Sequence, residues 1–355
     1  MGAALCVDTA PASHYGPGEP RAGASKRTPT KGQTMSGAIT DVPGIEVGHA
    51  QNLEGGSGCT VVLCRAGAVP GVAAPGGAPA TRETDCLRPE NVVPVAHAVF
   101  LTGGSAYGLD CAGGILRYLE ERAIGLPVGG IVVPIVPGAA IGDFAFADRS
   151  ARPDAAMAYQ ACQSASSQES RQGNVGAGTG GTIGRLAGNA RGMVKGGLGT
   201  ASLRVGDLAV GVIVAVNCNG DVIDPETRRP IAGTLTSDGR GIAGARRLLT
   251  DPAASFDGGL PPPNTTIAVI ATNARLTKAL ATRIAIMSQD GISRVVDPVH
   301  TMGDGDVTFC LGTGTVKADT TQVGAIAAWL LSEAIVSAVK AAEPLRGVPC
   351  WREFA

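Results

Sequence analysis

Short apolar runs of the kind that form buried strands recur along the chain between glycine-rich turns. They occupy residues 58–64, 93–101, 129–136, 210–217, 265–272 and 307–312. Apolar residues at helical spacing lie between these runs, at residues 105–123, 153–165, 276–292 and 324–342. Because strand-like and helix-like segments alternate, the pattern predicts a layered α/β or α+β domain. The last helix is apolar around most of its circumference, which predicts a buried position.

The polar and apolar pattern also divides the chain into regions. Residues 1–34 lack a regular apolar pattern and are predicted to form a disordered extension, with Met35 as the working start. Their apolar run is too short for a signal peptide, and we expect no segment long enough to span a bilayer. Residues 35–355 are predicted to form a single domain. Its link at residues 250–264, rich in Pro, Gly and Asp, is expected to be exposed and mobile.

Composition narrows the classes of partner. Apolar residues make up 44% of the chain and charged residues only 17%, against about 25% charged residues in an average soluble protein. We therefore expect part of the surface to be covered in a homo-oligomer. The net charge is -1 and aromatic residues are only 3% of the chain, so the sequence offers neither a basic surface nor stacking groups for nucleic acid.

Cysteine and histidine spacing argues against a metal centre or a disulfide framework. The nine cysteines form no CxxC pair and the four histidines form no HxH or HxxxH pair. This usage is typical of reduced, buried thiols in a cytoplasmic protein. The GAGTGG stretch at 176–181 follows a polar segment instead of an apolar strand, so a dinucleotide site is not expected. We predict no cofactor and no metal.

One junction carries candidate chemistry. Asn264 and Thr265 stand between a Pro-rich loop and an apolar β-branched run. One interpretation is structural, with Asn ending the loop and the Thr pair starting a strand. The other is catalytic: if the bond before Thr265 were cut, its new α-amino group could act as the base that activates its own hydroxyl. Such an amine has a pKa of about 7.7–8.0, which suits physiological pH.

Nine sequence blocks favour the catalytic interpretation, because together they resemble the DmpA-like self-processing aminopeptidases. This family includes L-aminopeptidase/D-Ala-esterases, β-peptidyl aminopeptidases and nylon-oligomer hydrolases. The resemblance covers about residues 36–345 and runs in order through ITDVPGIEVGHAQN (39–52), GGAPATRETD (76–85), LTGGSAYGL (101–109), VPIVPGAAIGDF (133–144), GNVGAGTGG (173–181), MVKGGLGTAS (193–202), VNCNGDVID (216–224), NTTIAVIATNA (264–274) and HTMGDGDVTF (300–309). It implies a four-layer αββα sandwich similar to that of N-terminal-nucleophile hydrolases, with different connectivity.

The resemblance also implies site residues. Thr265 would be the nucleophile, and cleavage after Asn264 would give chains 1–264 and 265–355. Asn217 matches the residue that donates a hydrogen bond to the developing oxyanion. Asp304 and Asp306 match the acidic pair that orients the nucleophile and its amine.

Three further residues are candidates for substrate or structural contacts. Arg185 aligns with a Lys of the nylon hydrolases, and its guanidinium cannot act as a base at neutral pH. Lys195 is the other nearby cation. Tyr107 is expected to lie in the core or to contact substrate. A Tyr of the nylon hydrolases aligns with Gly142, and its absence here weighs against nylon-oligomer activity.

The sequence therefore predicts a self-processing aminopeptidase or amidase that acts on small peptides, amino-acid amides or related oligoamides. The family resemblance adds an expected assembly of tetramer size or larger. Two alternatives remain open at this point. One is an acyltransferase like ornithine acetyltransferase, which shares the self-cleavage, and the other is a non-catalytic glycine-rich binding protein in which the 264–265 bond stays intact.

Overall fold

The structure is a computed structural model that describes residues 37–186, 192–252 and 264–355. These residues belong to one compact unit, Met35–Ala355. The predicted disordered extension at residues 1–34 lies outside the described residues. So does most of the link predicted to be exposed and mobile, residues 253–263.

The apolar runs of the sequence form most of the long strands. The described strands are β1 (Glu46–Asn52), β2 (Ser57–Ala73), β3 (Ala80–Arg82), β4 (Ala96–Thr102), β5 (Leu126–Val128), β6 (Ile131–Val133), β7 (Gly138–Ala140), β8 (Thr182–Ile183), β9 (Val194–Lys195), β10 (Leu198–Val205), β11 (Leu208–Asn217), β12 (Asp221–Ile223), β13 (Pro230–Ala232), β14 (Thr265–Ala274), β15 (Val296–Asp297) and β16 (Val307–Val316). The run at 129–136 differs from the prediction of a buried strand. Only β6 is extended there, and it pairs with β5 in a small separate hairpin because Gly129 and Gly130 make the turn.

The helical patterns at 153–165, 276–292 and 324–342 are confirmed with small shifts of their ends, the pattern at 105–123 is divided into α1 and α2, and α4 was not predicted. The described helices are α1 (Ser105–Gly108), α2 (Cys111–Glu120), α3 (Ala155–Gln163), α4 (Ala245–Thr250), α5 (Lys278–Val295) and α6 (Thr320–Ala341). The side chains of Asp154, Thr277 and Asp319 cap α3, α5 and α6 by accepting a backbone N–H of the first turn. Such caps satisfy one of the donors that a helix start leaves free.

Two sheets share the long strand β2. Its first half pairs with β1 and β4, and its end, Val69–Ala73, pairs with β16. The strand order is β10-β11-β14-β16-β2-β4-β7-β3, with β1 beside β2. Within this order β14 and β16 run parallel, and β14 and β11 run antiparallel. The start of β14, the start of β16 and the end of β11 therefore meet at one edge.

Three apolar clusters among the described residues separate four layers. The first lies between α5, α6 and the outer face of β10, β11, β14 and β16, and includes Val214, Ile270 and Leu331. The second lies between the two sheets and includes Leu101, Ile213, Val269 and Phe309. The third lies between the other sheet and α2 and α3, and includes Phe100, Ile115 and Cys162. Three cores between successive layers make an αββα sandwich, as predicted.

One expectation needs correction. Helix α6 is long and apolar enough to cross a membrane by length and composition alone, with a mean hydropathy of 1.6. The expectation that no segment reaches this length was therefore wrong. In the fold, 67% of its most apolar window is buried, and the helix packs against α5, β10 and β11. This is the environment predicted for it from its apolar circumference.

Candidate active site

The candidate residues that are far apart in sequence meet at the shared edge of β11, β14 and β16. Thr265 is the first residue of β14, Asn217 is the last residue of β11, and Asp304 and Asp306 lie just before β16. All four side chains are buried. The topology brings them together because parallel strands begin at the same edge of a sheet and an antiparallel neighbour ends there.

The carbonyl group of Asn264 is held by two donors. The Thr265 hydroxyl donates to the Asn264 carbonyl oxygen, and the backbone N–H of Gly305 donates to the same oxygen at 2.8 Å. The backbone N–H of Asn264 in turn donates to the Gly303 carbonyl at 3.0 Å. The Thr265 hydroxyl and the Gly305 N–H therefore converge on one carbonyl oxygen, that of Asn264.

Gly305 is required at this point because the space beside it is filled. A Cβ atom there would lie 2.9 Å from Thr265 Oγ1 and 2.5 Å from the carbonyl oxygen of Ala78. Both distances are shorter than van der Waals contact allows. Any side chain at position 305 would have to displace the candidate nucleophile or the neighbouring backbone.

Asn217 stands directly opposite Thr265 in the antiparallel pairing of β11 and β14. Side chains of such partners lie on the same face of the sheet, with Cβ atoms about 4.5–5.5 Å apart. The Asn217 Oδ1 accepts the backbone N–H of Thr182 at 3.0 Å and the Thr182 hydroxyl at 3.1 Å. Its Nδ2 donates to the Gly142 carbonyl at 3.3 Å. These bonds fix the amide orientation, with one of its two N–H groups already used by Gly142.

Asp306 links the strand start to a histidine that the sequence analysis did not select. Its Oδ1 accepts the backbone N–H of Thr266 at 2.6 Å. Its Oδ2 accepts the backbone N–H of His300 at 3.2 Å, and the His300 Nδ1 lies 2.7 Å from the same oxygen. A carboxylate can only accept, so this contact is a hydrogen bond in the His300 tautomer that carries its proton on Nδ1. His300 also lines a cavity of about 530 Å³ beside the end of β2 and α5.

Asp304 is held by a second group of donors. Its Oδ1 accepts the backbone N–H of Asn219 at 3.2 Å, and its Oδ2 accepts the backbone N–H of Thr301 at 3.1 Å and the Thr301 hydroxyl. The side chain of Asn219 accepts the side-chain N–H of Asn264, which ties this group to the junction. Burial, and then the nearby charge of Asp306, raise the pKa of Asp304 to about 6.

The three residues proposed for substrate or structural contacts take different positions. Lys195 is fully buried and donates to two backbone carbonyls, and burial lowers its pKa to about 7. Arg185 is also buried, and loss of hydration lowers its pKa to about 10. Tyr107 is 62% exposed, with the Arg152 guanidinium 4.0 Å from its ring centre. The expected core role of Tyr107 was therefore wrong, because α1 presents it to solvent.

The sequence analysis missed His300, Asn219, Thr182 and Gly305. His300 lies inside the quoted block HTMGDGDVTF, but the histidines had been tested only for metal-ligand spacing. The other three act through backbone groups or short side chains that give no distinct sequence pattern. Among the described residues, no group of three or more His, Cys, Asp or Glu side chains is arranged to hold a metal ion.

The fold is a variant of the N-terminal-nucleophile hydrolase fold. The L-aminopeptidase D-Ala-esterase/amidase of Ochrobactrum anthropi, which defines that variant, superposes with a TM-score of 0.67 at 20% identity, covering 88% of each chain. The layers and the strand edge described above thus define an Ntn-type hydrolase scaffold.

Sequence comparison gives the family. The profile of peptidase family S58 matches residues 37–350, and the chain belongs to this family. It is 40% identical over 346 residues to an uncharacterized aminopeptidase of Mycobacterium leprae, covering 88% of this chain and 93% of the relative. It is 29% identical to a 6-aminohexanoate-oligomer endohydrolase of Kocuria, covering 95% and 96%. The chain is an aminopeptidase or amidohydrolase of family S58, which confirms the resemblance to the DmpA-like enzymes.

Proposed function

We propose that this chain cuts itself between Asn264 and Thr265 and then hydrolyses small peptides or amino-acid amides with Thr265 as an N-terminal nucleophile. The observation that carries the proposal is the convergence of the Thr265 hydroxyl and the Gly305 N–H on the Asn264 carbonyl oxygen. A strand start held by ordinary turn contacts would not need both groups at one carbonyl.

The first reaction is the cut itself. The Thr265 oxygen attacks the Asn264 carbonyl carbon, and the Gly305 N–H stabilises the negative charge on the carbonyl oxygen. The bond between that carbon and the Thr265 nitrogen then breaks, and the nitrogen takes up the proton of the hydroxyl. Water hydrolyses the resulting ester, which leaves a carboxylate on Asn264 and a free amine and hydroxyl on Thr265.

The hydroxyl and the new amine of Thr265 then serve each turnover. The Thr265 amine accepts the proton of its hydroxyl while the oxygen attacks the substrate carbonyl. The departing amine takes that proton, and water releases the acyl group from the ester. Asp306 accepts the N–H of Thr266, one residue after the new N-terminus, and Asp304 forms a β-bridge with Asn264, one residue before it. From these positions the two carboxylates would hold and orient an amine. The second N–H group of the Asn217 Nδ2 would serve the substrate oxyanion from the strand opposite.

The substrate class follows from the family and from the residue at position 142. Relatives include aminopeptidases, so a peptide or amino-acid amide with a free N-terminus is the proposed substrate. The Kocuria relative is named for 6-aminohexanoate oligomers, but Gly142 here offers only its backbone to Asn217. We therefore propose peptide-like amides ahead of nylon oligomers.

An assembly of cleaved units, tetrameric or larger, is also part of the proposal, supported by the low charged fraction of the sequence. Light scattering on the purified protein should give a mass several times the 35.5 kDa of one chain. A monomer at micromolar concentration would contradict this part of the proposal and leave the catalytic part intact.

The test of the catalytic proposal is a fragment analysis combined with turnover. Purified protein should separate on a denaturing gel into residues up to 264 and residues 265–355, and the smaller fragment should begin Thr-Thr-Ile-Ala-Val. The variant Thr265→Ala should remain whole and inactive, while Thr265→Ser, which keeps a hydroxyl, should be cut. Amino-acyl p-nitroanilides measure turnover. An active chain with the 264–265 bond intact would refute both the cut and the nucleophile.

A further inference from the structure

A buried lysine lies close to Asn217 without touching it. Lys195 is the last residue of β9 and has no exposed surface. Its ammonium donates to the carbonyl oxygens of Thr179 at 2.8 Å and of Gly181 at 2.6 Å, and lies 4.3 Å from the centre of the Phe146 ring. Burying a lysine is costly unless its ammonium finds partners. These contacts supply the partners, and they also place the ammonium behind the candidate oxyanion donor.

One peptide group connects the lysine with Asn217. The carbonyl of Gly181 accepts from Lys195, and the N–H of the same peptide unit, on Thr182, donates to the Asn217 Oδ1 at 3.0 Å. The C=O and N–H of a trans peptide point in opposite directions, so this unit is held at both ends. Thr182 and Lys195 are also direct partners in the pairing of β8 with β9.

The result is a chain of hydrogen bonds that ends at the candidate oxyanion donor. It runs from the Lys195 ammonium through the 181–182 peptide to the Asn217 Oδ1, and the Nδ2 lies at the other end of that amide. Hydrogen bonds in such chains polarise one another, and they are strongest when Lys195 is charged, below its pKa of about 7. The Nδ2 N–H groups of Asn217 therefore become better donors than those of an isolated amide.

The segment on the other side of Asn217 is anchored as well. Gly142, which accepts from the Nδ2, precedes Asp143, a buried carboxylate that accepts from the Ser57 hydroxyl at 2.6 Å and from the Gly104 N–H at 2.9 Å. Burial raises the pKa of Asp143, whereas the charge of Lys195 acts to lower it. Lys195 and Asp143 thus anchor the two segments that hydrogen-bond to the Asn217 amide.

We infer that Lys195 is a positioning residue that orients and polarises Asn217 through the 181–182 peptide group, and that it does not contact the substrate. The inference rests on the proposed function, in which Asn217 donates to the substrate oxyanion. It replaces the substrate contact that was considered for this lysine, because the fully buried ammonium is directed at backbone carbonyls.

The structure separates this role from the cut at Thr265. The Asn264 carbonyl is served by the Gly305 N–H, and Asn217 makes its bonds to Thr182 and Gly142 instead. Loss of Lys195 should therefore lower the rate of turnover while leaving the chain able to cut itself. A general loss of folding would impair both.

The experiment is a double-mutant cycle on the purified, self-cleaved enzyme. The variants are Lys195→Met, Asn217→Ala and the double variant, and the substrate is the amino-acyl p-nitroanilide that the wild-type enzyme cleaves fastest. Lys195→Met should run as two fragments and lose about 10-fold in kcat, with KM changed by less than about 3-fold. In the Asn217→Ala background the same change should alter kcat by less than about 2-fold, because its target is absent.

A matched control is available in Lys278. Its ammonium also donates to two backbone carbonyls, those of Cys86 and Asn91, but at the start of α5 and away from Asn217. Lys278→Met should keep the wild-type kcat. Thr182→Val tests the Asn217 end of this arrangement, since it deletes the hydroxyl bond to the Asn217 Oδ1 and leaves the 181–182 peptide in place. It should lower kcat by about 5-fold in the wild-type background and leave kcat unchanged in Asn217→Ala.

The outcomes are distinguishable. Equal losses of kcat in the two backgrounds would show that Lys195 acts elsewhere and would overturn the inference, as would a wild-type kcat in Lys195→Met. If Asn217→Ala alone kept wild-type turnover, the proposed role of Asn217 would fail and the inference would fail with it. If Asn217→Ala lost turnover while Lys195→Met did not, only the inference would be lost.

Discussion

Removing the Asn217 amide should separate turnover from self-cleavage. The variant Asn217→Ala takes away the Nδ2 donor proposed for the substrate oxyanion, and one such donor is worth about 3 kcal/mol in the transition state, or at least about 100-fold in kcat. The cut at Thr265 should persist, because the donor on the Asn264 carbonyl is the backbone N–H of Gly305. Purified Asn217→Ala should therefore consist of two fragments with little activity.

The same substitution should also reduce stability by an amount that the contacts define. It leaves the Thr182 N–H, the Thr182 hydroxyl and the Gly142 carbonyl without the amide that they contact. A buried polar group that loses its partner costs about 1–3 kcal/mol. With three groups affected and some relaxation of the site, we expect the free energy of unfolding to fall by about 2–5 kcal/mol. Urea unfolding measures it, and turnover must be assayed where the variant is folded.

Asn273 provides the matched control for this experiment. It lies near the other end of β14, where its side chain accepts the Ala209 N–H and donates to the Asp207 carbonyl, both at 2.8 Å. Asn273→Ala should lose stability without losing kcat. The reasoning is refuted if Asn217→Ala turns over within about 2-fold of wild type, against the loss expected for an oxyanion donor. It is also refuted if the folded variant stays uncut, since Gly305 would then not suffice for the cut.

Three further predictions follow from the contacts at the junction. Thr266→Val should leave cutting and turnover intact, because among the described residues the buried Thr266 hydroxyl has no hydrogen-bond partner. Thr265→Val, the isosteric change at the neighbouring residue, should leave the chain whole. Fragment analysis of the two variants tests which hydroxyl the cut requires. Gly305→Ala should slow the cut, because its Cβ would displace the Thr265 hydroxyl. We expect a loss of at least about 10-fold, which corresponds to about 1.4 kcal/mol. Unchanged processing would contradict the role given to the space beside Gly305. The raised pKa of Asp304, about 6, means that the folded protein binds this proton more tightly than the unfolded chain does, whose pKa is about 3.9. Its contribution to stability is therefore full below about pH 4 and is lost as pH rises through about 6. In the uncut Thr265→Ala chain, which has no free amine beside this carboxylate, Asp304→Asn should remove this part of the pH dependence in urea unfolding, and identical pH profiles with and without Asp304→Asn would count against it.

Local patterns in the sequence were sufficient for most of the fold. The runs at 210–217 and 265–272 became β11 and β14, and the helical patterns at 276–292 and 324–342 became α5 and α6. These segments were predictable because burial on one or both faces imposes a periodicity on the residues themselves. The sharing of β2 by two sheets was not predictable, because nothing local in a long strand specifies which partner each half takes.

The sequence by itself determined which reactive groups the chain contains and which family it resembles. These groups are a Thr after a Pro-rich loop, an Asn at a strand end and two Asp residues in GDGD. Only the tertiary structure decided how these groups are used. It placed the Gly305 N–H at the Asn264 carbonyl oxygen, the His300 ring at the Asp306 carboxylate, and the Lys195 ammonium one peptide group away from the Asn217 amide. Every residue except Pro has a backbone N–H and every residue has a carbonyl, so residue identity cannot reveal which of them becomes a donor or an anchor. That choice is made by strand order and register, which bring together positions far apart in the chain.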